Sequence, residues 1–146
     1  MAGYSPTPLH RKLGLKEGRR LALVGAPQGW TLPDGAPARR VSPAQLEAHA
    51  KDEVVLAFFA ARAELETQLP RLAEAIFPDG ALWIAWPRRR PRPARPESDI
   101  FEGDIRELAL PLGLVDVKVA ALDEDWSGLR LVWRRERRGP GGARPG

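Results

Sequence analysis

The sequence contains no cysteine, which excludes disulfide staples, thiolate nucleophiles and thiolate metal ligands. Asparagine is also missing, and histidine occurs only as His10 and His49, far apart in the chain. A histidine metal site or a Ser-His nucleophile pair therefore has little to build on. No apolar run approaches the roughly 18 residues of a membrane span. The N-terminus, Met1-Ala2-Gly3-Tyr4-Ser5-Pro6, shows neither the basic n-region nor the apolar h-region of an export signal. These absences lead us to expect a cytoplasmic protein with no membrane partner and no resident metal.

Arginine, alanine, glycine and proline are abundant. The length of 146 residues fits one domain around one core. A net charge of +4 is compatible with a polyanionic partner. All but four of the 23 basic residues are arginine, the exceptions being Lys12, Lys16, Lys51 and Lys118. With asparagine absent, that usage resembles GC-rich coding bias, and most of the charge reads as solvated surface.

Short apolar blocks carry the fold. Arg20-Leu21-Ala22-Leu23-Val24, Glu53 to Phe59 and Ala81 to Trp86 read as strands buried on both faces. Val115 to Ala121 alternates apolar with polar residues and predicts a half-exposed strand near an edge. Asp123 to Gly128 reads as a hairpin loop, after which Leu129 to Trp133 returns antiparallel. Between these lie helical patterns. Thr7-Pro8 starts a short helix that Gly14 ends, and Ser42-Pro43-Ala44-Gln45 is a capping box for a minor helix to about Ala50. Leu65, Leu69, Leu72 and Ile76 recur at helical spacing, with Pro70 predicting a kink or two short helices. Asp99 with Glu102 predicts the start of a helix that Gly113 caps. Arg88 to Pro96 reads as a mobile Arg/Pro loop, and residues 135–146 as a basic, Gly/Pro-rich disordered tail behind a domain of residues 1–134.

This order is an α/β pattern. It predicts a single-domain, reduced Rossmann-like three-layer sandwich, with a mostly parallel sheet of about five strands ending in an antiparallel hairpin strand. From Val54 onward it resembles the C-terminal half of class I S-adenosylmethionine methyltransferases. That resemblance implies a glycine-rich loop in the N-terminal half, then a strand ending in an acidic residue that holds the cofactor ribose. The stretch between Gly25 and Val54 leaves no room for the usual two further strand–helix units.

A closer resemblance rests on Gly3-Tyr4-Ser5, Thr7-Pro8-Leu9, Lys12-Leu13-Gly14, Gly25-Ala26-Pro27 and Arg62-Ala63-Glu64-Leu65. It continues through Pro78-Asp79-Gly80-Ala81-Leu82-Trp83, Ala85-Trp86-Pro87, Leu110 to Lys118, and Trp126-Ser127-Gly128-Leu129. These blocks resemble an uncharacterised bacterial domain-of-unknown-function family, the DUF3052 type. The resemblance implies the reduced Rossmann-like fold and no particular activity.

Ligands of open α/β sheets sit outside the carboxyl ends of the parallel strands. Four loops should meet there, bringing Gly25, Gln28, Gly29, Trp30, Arg62, Arg88, Trp126 and Ser127 to one rim. Tryptophan beside arginine suits stacking and anion contacts. Trp83, Trp86 and Trp133 read as core. The Gly25–Trp30 turn serves either as a cofactor cradle or as a tight exit from the sheet, and its departure from G-x-G-x-x-G favours the second. Asp123, Glu124 and Asp125 read as solvated turn acids, with cation binding or base chemistry as the alternative. The leading expectation is a non-catalytic binding domain for a small anionic ligand or a protein partner. One alternative is a minimal enzyme binding S-adenosylmethionine or a nucleotide. A second is nucleic-acid association through Arg88 to Arg95 and the C-terminal tail, whose affinity would fall steeply with salt.

Overall fold

The computed structural model describes residues 9–15, 20–32, 38–46, 53–88 and 98–137. The expected helix start at Thr7-Pro8, the 33–37 loop, His49 with its helix end, the Arg/Pro segment 89–96 and the tail beyond Arg137 lie outside these residues.

Among the described residues, six strands form one sheet in the order β2-β1-β3-β4-β6-β5. They are β1 (Arg20–Val24), β2 (Arg39–Val41), β3 (Glu53–Phe58), β4 (Ala81–Pro87), β5 (Leu114–Ala121) and β6 (Trp126–Trp133). The pairs β2–β1, β1–β3 and β3–β4 are parallel. β6 inserts antiparallel between β4 and β5, which is what the hairpin requires. The expected mostly parallel sheet closed by an antiparallel strand is therefore present, with six strands in place of five. The extra one, β2, is short and two-thirds arginine, so no apolar run announces it. Its ladder with Ala22, Leu23 and Val24 of β1 holds it in place.

β6 begins three residues earlier than expected. Leu122 accepts its place in the turn by donating its N–H to the Trp126 carbonyl at 2.9 Å, so Trp126 already belongs to the ladder and faces Pro87. β5 is an edge strand, as its alternation implied, with an irregularity between Asp116 and Lys118.

One face of the sheet is closed by α2 (Arg62–Ile76) and α3 (Glu102–Ala109). Leu65, Leu69, Leu72 and Ile76 pack there against Val55, Leu82, Ile84 and Trp133. α2 runs through Pro70 as one helix. Pro70 and Glu66, whose carbonyl loses its helical donor, are both exposed, so water can supply the missing partner. At the far end of α2 the Trp133 indole donates to the Ala73 carbonyl at 2.9 Å, satisfying an acceptor of the last turn. Asp99 does not open α3. Its Oδ1 accepts the Arg62 N–H at 2.7 Å and so caps α2 instead, while the Phe101 N–H bonds Asp104 at the start of α3. Within the described residues the minor helix is a 3-10 turn at Pro43–Gln45, in which the Ser42 N–H donates to Gln45 Oε1 at 2.7 Å.

The other face is covered by α1 (Leu9–Lys12) and by loop side chains. Leu9 and Leu13 pack on Leu21, Leu56 and Trp83. Gly14 ends α1 with φ +80°, and the fully buried Trp83 donates its indole N–H to the Leu13 carbonyl at 3.1 Å. Gly128 is needed opposite, because a Cβ there would lie 3.0 Å from both the Trp83 ring and Leu122. Beyond β6 the expected disorder from residue 135 does not hold for Arg135–Arg137, which form a 3-10 turn. The preceding Arg134 N–H donates to the Gly113 carbonyl at 2.9 Å and ties the strand end down.

Candidate functional site

The carboxyl ends of β1, β3 and β4 open onto a rim shared with the β5–β6 hairpin. β1 leaves the sheet at Gly25, whose φ is +68°. A Cβ at that position would stand 2.9 Å from the Phe58 carbonyl oxygen, so glycine permits the backbone of β1 to pass against the end of β3. Gly29, at φ +78°, turns the chain back, and the Trp30 N–H donates to the Pro27 carbonyl at 3.0 Å.

Arg40, the middle residue of β2, locks this turn from the side. Its Nη2 donates to the Trp30 carbonyl at 2.6 Å and the Pro27 carbonyl at 3.2 Å, and its Nη1 to the Ala26 carbonyl at 3.4 Å. Trp30 continues the chain of contacts, its indole N–H donating to Asp123 Oδ2 at 3.0 Å. Asp123 Oδ1 accepts the N–H groups of Asp125 and Trp126, both at 2.8 Å. From β4, the Arg88 N–H reaches the Asp125 carbonyl at 2.8 Å and its Nη1 the Asp123 carbonyl at 3.0 Å. Beneath this network Phe58 meets Trp30 and Trp126 edge-on, each with ring centroids 5.0 Å apart. One connected assembly thus runs from β2 through the β1 turn and the hairpin to β4.

Gly25, Gly29, Trp30, Arg88 and Trp126 meet in this assembly. Gln28 lies exposed in the turn. Trp126 is only 8% exposed and acts as a core ring beneath the rim, in a strand where sequence analysis expects a loop. Ser127 lies within β6, in register with Trp86 and Ala121 on the opposite sheet face from Trp126. Arg62 opens α2 and turns toward α3, with Nη2 3.4 Å from Glu107 and Nε 3.8 Å from Asp104. It braces two helices and does not join the Trp30 network. Arg88 and Arg134 leave opposite ends of the β4–β6 pair.

Both oxygens of Asp123 are held by N–H donors, so the carboxylate serves as the organiser of the hairpin. Among the described residues no group of three metal-ligating side chains is found, and no helix is long and apolar enough to cross a membrane. Arg40 is the rim residue that sequence reasoning misses. The available signal is its place, two residues before the Ser42 capping box and after the first glycine turn, where a second short strand would end.

A further ion-paired cluster among the described residues stands apart from the rim. Arg106 of α3 bonds Asp116 of β5 at 2.9 Å and Glu102 at 2.5 Å. The hydrogen bond from Arg106 holds the Asp116 carboxyl below its ordinary range, and the Asp116 and Glu102 bonds raise the guanidinium further.

No family model matches the sequence, and no curated protein matches it. Solved structures do. The magnesium protoporphyrin IX methyltransferase of Synechocystis PCC 6803, with bound S-adenosylmethionine, aligns over 86% of this chain and 74% of its own, with TM-score 0.55 and 15% identity. An S-adenosylmethionine-dependent methyltransferase from Aquifex aeolicus aligns over 83% and 85%, with TM-score 0.55 and 16% identity. The 1,6-didemethyltoxoflavin-N1-methyltransferase of Burkholderia thailandensis, bound to its ligand and S-adenosylhomocysteine, covers 86% and 74%, with TM-score 0.50 and 16% identity. The fold is therefore the Rossmann-like, methyltransferase-type α/β sandwich.

Proposed function

We propose that this chain binds an adenosine-containing ligand at the rim, either S-adenosylmethionine or a nucleotide, as a reduced member of the methyltransferase-type fold. The observation that carries the reading is the Gly25–Trp30 turn. It follows the first strand directly and presses its backbone against the end of β3, at the position where open α/β sheets take their ligands. Gly29 adds to this: a Cβ there would meet nothing within 4 Å. Trp30, half-buried and fixed by Phe58 and Asp123, offers an aromatic edge of defined orientation.

The fit to S-adenosylmethionine is partial. The glycine turn suits close approach. The acidic residue that the methyltransferase resemblance implies is not at the end of β2, where Arg40, Val41 and Ser42 stand. When bound, the cofactor would supply an electrophilic methyl group; this chain's contribution would be binding and orientation, since Asp123, the carboxylate at the centre of the rim network, is committed to the hairpin. Binding therefore ranks above turnover in this reading.

Titration calorimetry with S-adenosylmethionine, adenosine and ADP tests it. The expected result is saturable heat with at least one of the three, removed by Gly29→Val. The absence of heat and of any thermal shift at millimolar ligand would overturn it.

A further inference from the structure

We propose that Arg40 makes the rim a phosphate-preferring site, so that a phosphorylated nucleotide binds in preference to S-adenosylmethionine. This rests on the adenosine-binding reading above and names its ligand class.

In Rossmann-like sheets the ligand's pyrophosphate lies against the turn after the first strand, the turn whose carbonyls Arg40 of β2 holds, and an acid at the end of the second strand accepts from the ribose hydroxyls. Arginine has five N–H donors and no acceptor, so it cannot replace a carboxylate toward a diol. Three donors of Arg40 are used on the carbonyls of Ala26, Pro27 and Trp30. Among the described residues, Nε–H and one Nη1 proton have no acceptor, and the side chain is exposed.

Charge points the same way. The three described partners are neutral carbonyls, which orient the guanidinium without cancelling its charge. Arg40 is also immobilised before any ligand arrives, so little further side-chain freedom is lost on binding. A fixed, exposed guanidinium beside a glycine turn suits a phosphate oxyanion, with charge-assisted hydrogen bonds. The same charge repels the sulfonium and ammonium of S-adenosylmethionine.

The experiment compares affinities for adenosine, ADP and S-adenosylmethionine by calorimetry, for the wild-type chain, Arg40→Gln and Arg40→Lys. The wild type should bind ADP roughly tenfold or more tighter than adenosine and than S-adenosylmethionine, the scale of a charge-assisted hydrogen bond. Arg40→Gln should bring the ratio of ADP to adenosine affinity down to about one, whatever the loss of its bonds to the turn does to adenosine itself. Arg40→Lys, which keeps the charge and loses the fork, should retain part of the preference.

If S-adenosylmethionine binds as tightly as ADP, or if the ADP-to-adenosine ratio survives Arg40→Gln, the inference is overturned and the adenosine reading stands. The same holds if Arg40→Gln weakens adenosine and ADP equally, since Arg40 would then only brace the turn. If none of the three ligands binds, both readings fall. Should Arg40→Gln not fold, the ratio in Arg40→Lys decides: no decline from wild type overturns the proposal.

Discussion

The two faces of the sheet are built by different means. The α2–α3 face is closed by aliphatic side chains at helical spacing, such as Leu65, Leu69, Leu72 and Ile76, and gains its stability mainly from area removed from water. Among the described residues, the α1 face has a four-residue helix to cover it. It relies on large rings, Trp83, Phe58 and Trp126, and on indole N–H groups that find backbone or carboxylate partners. The thick face holds the molecule together. The thin face is the one whose rim reaches solvent with its aromatic and cationic groups already fixed.

Truncation tests this contrast most strongly. Trp83→Ala should destabilise the chain by about 3–5 kcal/mol, because it empties a fully buried site and also strands the Leu13 carbonyl. Leu72→Ala on the thick face should cost about 2–5 kcal/mol. The distinguishing measurement is amide exchange: Trp83→Ala should release protection in α1, whereas Leu72→Ala should leave α1 unchanged relative to the global value. Equal loosening of α1 in both variants would show that the two faces do not differ in this way.

A smaller effect is expected at Gly25. Alanine there must adopt a positive φ and must push its Cβ against the Phe58 carbonyl, for about 1–3 kcal/mol. Thermal unfolding should show the loss, and near-ultraviolet dichroism of the Trp30–Phe58 pair should change with it. An unaltered melting temperature would mean the turn yields without strain.

The smallest effect concerns the Arg106–Asp116 pair. Its Asp116 carboxyl lies below the ordinary value in the folded chain, so its stabilisation is fully present above the unfolded value of about 3.9 and is lost as pH falls through the lower folded value. Both side chains are about one-third exposed (35% and 33%), so solvent screening limits the pair to a few tenths of a kcal/mol. Denaturant titrations between pH 5 and pH 2 should show Asp116→Asn losing that much less stability than wild type. Parallel curves would remove the pair from the account.

Much of this was legible in the residues. Buried strands announce themselves by apolar runs, and the hairpin by the acidic cluster before Trp126. The glycines at 14 and 113 mark their turns because the backbone there has positive φ. What escaped the sequence depends on contacts between distant segments. β2 has two arginines in three residues and exists because β1 offers an edge. Asp99 pairs in sequence with Glu102 but caps a helix 37 residues away. Arg62 lies at the correct end of β3, yet the acids of α3 draw it off the rim. Trp30 and Asp123 were each visible as loop residues; their bond across 93 positions was not.

The irregular step at Asp116/Lys118 in β5 bears on how copies of this chain behave at high concentration. Val117 and Val119 stand 50% and 47% exposed on the outermost strand, which makes an open invitation for strand-to-strand stacking between molecules. The bulge breaks the even spacing that a docking strand would need, and Lys118 places a charge within it. At the other margin of the described sheet β2 offers only three residues. A sheet with one kinked border and one very short border gives fibril growth no regular template, so the same small distortion that interrupts a ladder also keeps the fold from extending itself.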